Sequence, residues 1–392
     1  MPSASRIRVS LHLGLLALTV GCRADSAVEG TEAPSATRSD SAGIEIVHHP
    51  LQVDRMRELA VSDSALLDET GAPYIFNSVP VWSARVDQRG MTFVADPQAA
   101  TILSFSGDGK FVARIGRRGN GPGELRTPLS VVTSGDTLSV YDPMRLATLR
   151  WTEQGRRFLS EIPVAASDQG ALALRVDASG VVALRRTVVG DSTRVEVGMH
   201  DAPPLVEFTE PTPPVLSLPC IPIPHRRWRL LAPQVHVHSA ERRIVANGGD
   251  YVVYIIRDGG IERIIRREVP VRDANRRAIA LAAGRGIRAR MGATECSLSP
   301  AELADAVGVA TTVPAVHGVA LMSDGSLWVK RTLPGETPGL LDYFAPSGEY
   351  VMTVKASHLP IGILPDARIL FPIADEESGG VIVVFARIPS GG

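Results

Sequence analysis

Short apolar segments that alternate with polar positions recur along the chain from Ala84, and turn residues separate them. The first stretch reads ARVDQRGMTFVADPQAATILSFSGDGKFVARIG, with turns at Asp87–Gly90 and Gly107–Gly109 and a break at Pro97. A period of two is typical of β-strands, and Gly and Asp supply the positive φ angles of tight hairpins. The pattern therefore predicts four short antiparallel strands joined by hairpin turns.

The same arrangement returns further along the chain. Segments from Leu129 and from Gly318 repeat it, and in each repeat an apolar residue stands four positions before a glycine. The pairs are Phe105 and Gly109, Trp151 and Gly155, Ile256 and Gly260, and Phe344 and Gly348. Gly109 and Gly155 are 46 positions apart. A period of roughly 40 to 50 residues with four strands per unit is typical of a β-propeller.

Six units fit this period, so the sequence predicts an all-β fold: a six-bladed β-propeller of four-stranded antiparallel blades. The units begin near Val81, Leu129, Leu172, Val235, Val316 and Ile361. The last unit is incomplete, and the strand Ile44–His49 has no unit of its own. We expect this strand to pair with Val381–Ile388 and close the ring, which would remove an exposed sheet edge. A pair of β-sandwiches is the alternative fold.

A glycine-rich loop, IGRRGNGPGEL, joins the first clear unit to the second. A phosphate-binding loop would lead directly into a helix, whereas a proline and strand residues follow here. The stretch resembles the NHL-repeat type of six-bladed propeller, in which a Gly-rich loop and a proline connect consecutive blades and an acid ends the second strand. The matching residues are Gly116, Gly119, Gly121, Gly123, Pro128 and Asp142. The loop is therefore expected to be structural, and Arg117 and Arg118 are kept as candidate ligand-facing residues.

One segment, residues 272–309, interrupts the repeats between the fourth and fifth units with helical character. Ala-rich turns run through VRDANRRAIALAAGRGIRARMG, and Ser299 stands as an N-cap before Pro300 and Glu302. The segment has a basic face formed by Arg272, Arg276, Arg277, Arg285, Arg288 and Arg290. Two roles are open: a solvated helix that covers a blade edge, or a lid or docking element over one mouth of the propeller.

The N-terminal residues predict export. Arg6 and Arg8 precede an apolar run, Val9–Val20, which is too short to cross a bilayer but suits the core of a signal peptide. The run ends LTVGC, which resembles a bacterial lipobox. This resemblance implies a signal peptide at 1–21 and acylation of Cys22, and it favours the outer membrane. A plain secreted protein is the alternative.

The predicted mature chain has two parts. Residues 22–43 have no aromatic side chain and are expected to be a flexible tether from the lipid, while residues 44–392 form the propeller. With Cys22 acylated, Cys220 and Cys296 remain, and an oxidising compartment favours a disulfide between them over two separate buried thiols. The formal net charge of −1 gives no indication of nucleic-acid binding.

Propeller sites surround the central channel where the inner strands begin. The candidate ligand-facing side chains there are Trp82, Arg126, Gln234 and His317. A calcium site of the lactonase type would gather Asp, Glu and Asn on this ring, and the aligned units do not. His236 and His238 share one side of a strand, but zinc requires further ligands. No nucleophile or metalloprotease motif is present, so we assign no catalytic residue, metal or cofactor.

Two functions are compatible with these features. The first is a lipid-anchored binding or scaffolding module of the cell envelope that offers the propeller mouth to a protein, peptide or glycan. The second is a propeller enzyme of the lactonase, lyase or quinoprotein kind that acts on a periplasmic small molecule. The side chains at the mouth discriminate between them.

Overall fold

The computed structural model describes residues 35–69, 72–73, 84–87, 89–134, 137–145, 147–152, 157–163, 173–177, 180–190, 192–199, 203–211, 229–239, 242–291, 294–374 and 381–388. The predicted signal peptide, Cys22, Trp82 and Cys220 lie outside these residues. No helix among the described residues is long and apolar enough to span a membrane.

Before the first blade, the described residues form six short strands: β1 (Thr37–Ser41), β2 (Ile44–His49), β3 (Met56–Arg57), β4 (Ala60–Leu66), β5 (Asp68–Glu69) and β6 (Ala72–Pro73). Blade 1 contains β7 (Ala84–Val86), β8 (Thr92–Asp96), β9 (Thr101–Phe105) and β10 (Phe111–Ile115). A small parallel pair, β11 (Arg117–Arg118) and β12 (Glu124–Leu125), follows it. Blade 2 contains β13 (Ser130–Ser134), β14 (Thr137–Asp142), β15 (Ala147–Thr152) and β16 (Phe158–Pro163).

Blade 3 contains β17 (Ala173–Asp177), β18 (Gly180–Val189), β19 (Ser192–Met199) and β20 (Pro204–Pro211). Blade 4 contains β21 (Val235–Ser239), β22 (Arg243–Asn247), β23 (Val252–Arg257) and β24 (Gly260–Arg267). The insertion comprises β25 (Arg272–Asp273), α1 (Arg276–Ala283), β26 (Ile287–Met291), β27 (Thr294–Leu298), α2 (Pro300–Val307) and β28 (Thr312–Val313). Blade 5 contains β29 (Gly318–Leu321), β30 (Leu327–Lys330), β31 (Leu340–Phe344) and β32 (Tyr350–Lys355), and blade 6 contains β33 (Gly362–Ile363), β34 (Ile369–Ala374) and β35 (Val381–Arg387).

The recurring glycine of the sequence motif forms the turn between the third and fourth strands of a blade. Gly109 and Gly348 have φ angles of +82° and +81°, and their N–H groups donate to Ser106 O and Ala345 O at 2.8 Å. A β-bulge lies beside each of these turns. Since the left-handed region favours glycine, the four-residue spacing marks one bulged hairpin that recurs from blade to blade.

Apolar side chains fill the interfaces between consecutive blades. Phe93, Ile102 and Leu138 belong to one cluster shared by blades 1 and 2, while Ile255 and Phe344 belong to another shared by blades 4 and 5. Similar clusters join blades 3 and 4, blades 5 and 6, and blades 6 and 1. Because β33 also contacts β7, the last blade adjoins the first and the ring is closed.

The strand that closes the ring is β4 and not the predicted Ile44–His49. β4 pairs antiparallel with β35 and supplies the outermost strand of blade 6. Ile44–His49 instead forms β2, which pairs parallel with β24 of blade 4. A single strand between β2 and β4, β3, pairs parallel with β32 of blade 5. The N-terminal segment is therefore a strap, residues 37–66, that adds strands to the outer edges of blades 4, 5 and 6 in turn.

A buried ionic network holds the strap against blades 4 and 5. The Asp342 carboxylate is fully buried and pairs with Arg267 and Arg331, and it accepts hydrogen bonds from Tyr251 Oη and Thr353 Oγ1 at 2.7 Å. Both guanidinium groups also pair with Asp54 of the strap. Two carboxylates thus neutralise two buried cations.

The same network lowers the pKa of Asp54, its carboxylate from the strap, and places the Arg267 guanidinium over the Tyr350 ring. Burial alone would raise the pKa of Asp54, but Arg331 and Arg267 hold it below its usual range. The Arg267 guanidinium lies 3.8 Å from the Tyr350 ring centroid, which is a cation–π contact. These contacts make the strap part of the core of blades 4 and 5.

The insertion contains both predicted helices. Ser299 caps α2 with a capping box that includes Glu302, and Pro300 stands in the first turn, as expected. The helical pattern read through Ile287–Met291 was wrong, because these residues form β26, which pairs antiparallel with β27. The stretch follows Gly284 and Gly286, both at positive φ, which end the helix.

Candidate functional site

Polar side chains from three separate segments meet on the upper face of blades 4 and 5. We use "upper face" for the side on which the innermost strand of each blade begins. His236 lies at the start of β21, His317 directly precedes β29, and Lys330 ends β30. Arg272 opens the insertion and Glu336 lies in the loop after β30. We call these five residues the upper-face cluster.

His317 is the most perturbed member of this cluster. Burial lowers the pKa of His317 to about 4, and the nearby His236 and Arg272 add to the effect, while Glu336 and the hydrogen bond to the Pro314 backbone oppose it. Its Nε2 atom is buried and has no hydrogen-bond partner in the protein. The imidazole is therefore neutral at physiological pH and retains an unused polar atom.

Arg272 and Glu336 form an ion pair that links the insertion to the loop after β30. Arg272 Nη1 lies 2.6 Å from Glu336 Oε1, and Arg272 Nη2 donates to the carbonyl oxygen of Arg331 at 3.2 Å. Glu336 Oε2 accepts the backbone N–H of Leu333 at 2.9 Å. Both carboxylate oxygens of Glu336 are consequently engaged.

Lys330 lies beside this pair. Its Nζ donates to the carbonyl oxygen of Ser357 at 2.6 Å. Burial lowers the pKa of Lys330 even though Glu336 acts in the opposite direction. Burial and the Lys330 charge also lower the pKa of His358, which stands in the loop leading to β33. Lys330 is therefore a partly desolvated cation at the edge of the cluster.

His236 and His238 connect the inner strands of blades 4 and 5. They share one side of β21, as the sequence predicted, and that side faces blade 5. His236 Nε2 lies 3.2 Å from the carbonyl oxygen of Val316, and His238 Nδ1 accepts the backbone N–H of Leu321 at 3.2 Å. The inner strands β21 and β29 belong to separate sheets and share no backbone hydrogen bonds. The two imidazoles therefore supply hydrogen bonds between them. The described residues contain no group of three or more His, Cys, Asp or Glu side chains arranged to hold a metal ion.

The other residues predicted at the mouth do not gather around His317. Gln234 is exposed at the start of β21, and its carbonyl oxygen accepts the N–H of Gly248 at 2.9 Å. Arg126 lies between blades 1 and 2, with an exposed side chain and a backbone N–H that donates to Asp142 Oδ2 at 2.6 Å. Trp82 lies outside the described residues, so its placement stays a prediction.

The glycine-rich loop forms hydrogen bonds within itself and with blade 1. Glu124 Oε2 accepts the N–H of Gly121 at 2.8 Å, and Glu124 Oε1 pairs with Arg117 Nε at 2.9 Å. Arg118 donates to the carbonyl oxygen of Gln98. The Gly121 N–H and Arg117 Nε therefore have a carboxylate partner within the loop.

The acid that ends the second strand has a structural role. Asp142 is fully buried, and its two oxygens accept backbone N–H groups of Arg126, Thr127, Met144 and Arg145. It thereby fixes both the turn after β14 and the end of the glycine-rich loop. Asp96 caps the corresponding turn in blade 1, with Oδ1 accepting from Gln98 N and Ala99 N at 2.9 Å.

Cys296 lies within the insertion, on β27. Only 1% of its surface is exposed, and it packs in a cluster with Leu230, Leu303 and Val307. Cys220 lies outside the described residues, so the disulfide between the two cysteines stays a prediction.

Sequence reasoning found His317 but missed Lys330 and Glu336, and it noted Arg272 only as part of a basic face. The scarcity of lysine was the available signal. Lys110, Lys330 and Lys355 are the three lysines of the chain, against 38 arginines. Lys330 is half-buried, whereas Lys110 and Lys355 are exposed.

Comparisons with known proteins support the propeller. A profile of the DUF5128 family, described as a 6-bladed beta-propeller, matches residues 86–176. No curated protein matches the chain. An exported protein of Bacteroides fragilis has a similar structure, with a TM-score of 0.50, 12% identity, and coverage of 88% of this chain and 100% of that one.

Two further solved structures have lower similarity. An inactive virginiamycin B lyase of Staphylococcus aureus bound to quinupristin has a TM-score of 0.37 at 13% identity, covering 83% of this chain and 99% of that one. A DUF4221 family member of Bacteroides vulgatus has a TM-score of 0.43 at 10% identity, covering 84% and 97%. The strand topology, the family profile and the B. fragilis structure together establish the chain as an all-β propeller.

Proposed function

We propose that this chain is a lipid-anchored propeller of the cell envelope that binds a protein, peptide or glycan at the upper-face cluster without transforming it. The observation that carries this proposal is the buried Nε2 of His317, which has no hydrogen-bond partner in the protein. An unsatisfied buried polar atom costs about 1–3 kcal/mol. A ligand that donates an O–H or N–H to this atom would recover that cost.

The position of the insertion supports a docking role. Leu231, Ala278, Val313 and Leu333 form an apolar cluster that seats α1 between the segment before blade 4 and the loop of blade 5 that carries Glu336. Arg272, at the base of the insertion, reaches Glu336 itself. A ligand at the cluster would therefore contact the insertion and the propeller together.

Lipid attachment rests on the resemblance of LTVGC to a lipobox. Cys22 would carry the acyl chains, and the residues before the strap would separate them from blade 4. More than one acyl chain is needed for lasting attachment. The exported neighbour from B. fragilis is consistent with this location.

Substitution Cys22→Ala tests the anchor. We expect the variant to leave the membrane fraction and to lose labelling by palmitate, while Cys296→Ala keeps both. Unchanged palmitate labelling of Cys22→Ala would contradict the anchor.

Peptide mapping without reductant tests the predicted disulfide between Cys220 and Cys296. Alkylation of both cysteines would exclude this disulfide.

Binding is tested on the full chain purified in detergent and presented to peptide and glycan libraries. Ligands that bind are measured again with His317→Leu and with His48→Leu, a matched substitution of a partly exposed histidine on the strap. We expect affinity to fall about tenfold or more with His317→Leu, which corresponds to at least 1.4 kcal/mol, and to be unchanged with His48→Leu. If ligands bind but none of them depends on His317, the proposed site is wrong.

A propeller enzyme is the second candidate, and the neutral His317 is the observation that favours it. A buried, neutral imidazole can accept a proton from a bound substrate. Mass spectrometry of the recovered ligand discriminates the two functions. An unchanged ligand supports the binding module, and a product that forms with wild type but not with His317→Leu supports the enzyme.

A further inference from the structure

In the upper-face cluster, cationic side chains outnumber carboxylates. Its ionisable members among the described residues are the cations Arg272 and Lys330, the carboxylate Glu336, the His236 imidazole, and the His317 imidazole, which burial keeps neutral. Glu336 gives both of its oxygens to Arg272 and to the backbone N–H of Leu333. The Lys330 ammonium is left with a neutral partner, the carbonyl oxygen of Ser357.

Three buried arginines of blades 2, 4 and 5 have carboxylate partners. Arg267 and Arg331 share Asp54 and Asp342, and Arg145 pairs with Glu161 at 2.6 Å. Because a cation removed from water is costly unless an anion compensates it, Lys330 differs from these three arginines. Burial lowers the pKa of Lys330, and the charge of Glu336 offsets this only in part.

We infer that the ligand of the upper-face cluster carries a carboxylate that pairs with Lys330, next to a hydroxyl or amide N–H that donates to His317 Nε2. This inference rests on the proposed binding function and names its ligand chemistry. A carboxylate beside a hydrogen-bond donor occurs in uronic acid sugars and at the C-terminal residue of a peptide. The two sources share the groups that Lys330 and His317 would recognise.

The three lysines of the chain allow a direct test. Reductive methylation of the full chain with ¹³C-formaldehyde labels Lys110, Lys330 and Lys355, and the Lys330→Arg and Lys355→Arg variants assign their NMR signals. One arm titrates D-galacturonate and the other N-acetyl-D-alanine, with D-galactose and N-acetyl-D-alanine amide as neutral controls. We expect an acidic probe to move the Lys330 signal in a saturable manner and to leave the signals of Lys110 and Lys355 in place.

The arm that responds identifies the source of the carboxylate. Lys330→Met is expected to weaken binding of that probe about tenfold or more, measured by calorimetry on unmethylated protein, and Lys355→Met is expected to leave it unchanged. The inference is overturned if neither acid moves the Lys330 signal at about 50 mM, well above the Kd of a millimolar site. It is also overturned if all three signals move equally or if the neutral probes act as strongly.

Failure of this inference is distinguishable from failure of the binding function. A library ligand that loses affinity with His317→Leu but binds equally well to wild type and Lys330→Met would refute the inferred carboxylate of the ligand. The same result would support the proposed binding function. A saturable Lys330 response to an acid supports the inference even when the libraries yield no ligand.

Discussion

Blades 1 to 3 and blades 4 to 6 use one four-stranded plan but are reinforced in different ways. Blades 1, 2 and 3 end on their own fourth strands, β10, β16 and β20. Blades 4 and 5 gain extra parallel strands from the strap, and blade 6 obtains its fourth strand from it. The repeat therefore specifies a blade, and a segment distant in sequence decides which blades are covered at the rim.

The bonds between neighbouring blades differ in range as well. Between blades 1 and 2, Asp142 and the glycine-rich loop make contacts among residues close in sequence. Between blades 4 and 5, Arg267 pairs with Asp342, 75 positions away, and with the strap residue Asp54, 213 positions away. Local contacts form without ring closure, whereas the ionic network requires the N-terminal segment to be in place.

The largest effect is expected from loss of the closing strand. Replacing Ala60–Leu66 by a Gly-Ser segment of equal length would leave β35 without its partner and blade 6 with three strands. We expect the loss of most of the net stability, more than about 5 kcal/mol, and no cooperative transition in thermal unfolding. The same replacement at Thr37–Ser41, whose five residues are all exposed, should leave Tm nearly unchanged. Equal effects of the two replacements would refute closure by β4.

Asp342→Asn is expected to have the next largest effect. It leaves Arg267 and Arg331 with Asp54 alone, and breaking a buried ion pair costs about 3–5 kcal/mol. Urea unfolding measures the difference. Asp366→Asn is the matched control, because Asp366 also lies between two arginines, Arg368 and Arg387, but is nearly half exposed, so its loss is expected to cost less than about 1 kcal/mol.

Acid is expected to weaken blades 4 to 6 selectively. Burial lowers the pKa of His49, of His358 and, to about 4, of His317, while the described part of blades 1 to 3 contains no histidine. These imidazoles protonate in the unfolded chain near pH 6.5 but stay neutral in the folded one. Stability is therefore complete above about pH 6.5 and falls as the pH approaches 4, with His317 contributing up to roughly 3 kcal/mol.

Urea unfolding at pH 7.5 and pH 4.5 measures this dependence. His317→Gln should remove part of the difference in unfolding free energy between the two pH values, and His48→Gln should remove less of it, because His48 contributes only the last of the effects that lower the pKa of His49. A titration of His317 near pH 6.5 by NMR would contradict the burial argument.

The smallest effect is expected at the joint between blades 1 and 2. Gly116 has a φ of +73°, and a Cβ there would lie 2.7 Å from the buried Leu125 Cδ1. Gly259 has a φ of +78° with open space around the Cβ position. Both alanine variants carry the backbone strain, about 1 kcal/mol, and Gly116→Ala should cost about 1 kcal/mol more because Leu125 must move. Equal unfolding free energies of the two variants would show that the loop tolerates the methyl group.

The sequence predicted features whose signal is local. The spacing of Phe105 and Gly109 marks a hairpin within ten residues, and Ser299 with Glu302 marks a helix start within four. The partner of Ile44–His49 was mistaken because any β-branched strand can pair with any open edge, and alternation does not encode which one. Lys330 and Glu336 are close in sequence, but Arg272 comes from the insertion and His236 from blade 4. Only the folded ring brings these segments together, so their grouping had no signal along the chain.

The order of strands in blade 6 has a consequence for biogenesis. β4 leaves the ribosome more than three hundred residues before β35, its only ladder partner among the described residues. Until β35 has been synthesised, β4 presents an unpaired backbone edge. The pairing of β4 with β35 joins residues that are more than three hundred positions apart. Topologies with such distant contacts fold slowly and expose aggregation-prone edges during synthesis. The ring therefore cannot be completed before all six blades have been synthesised.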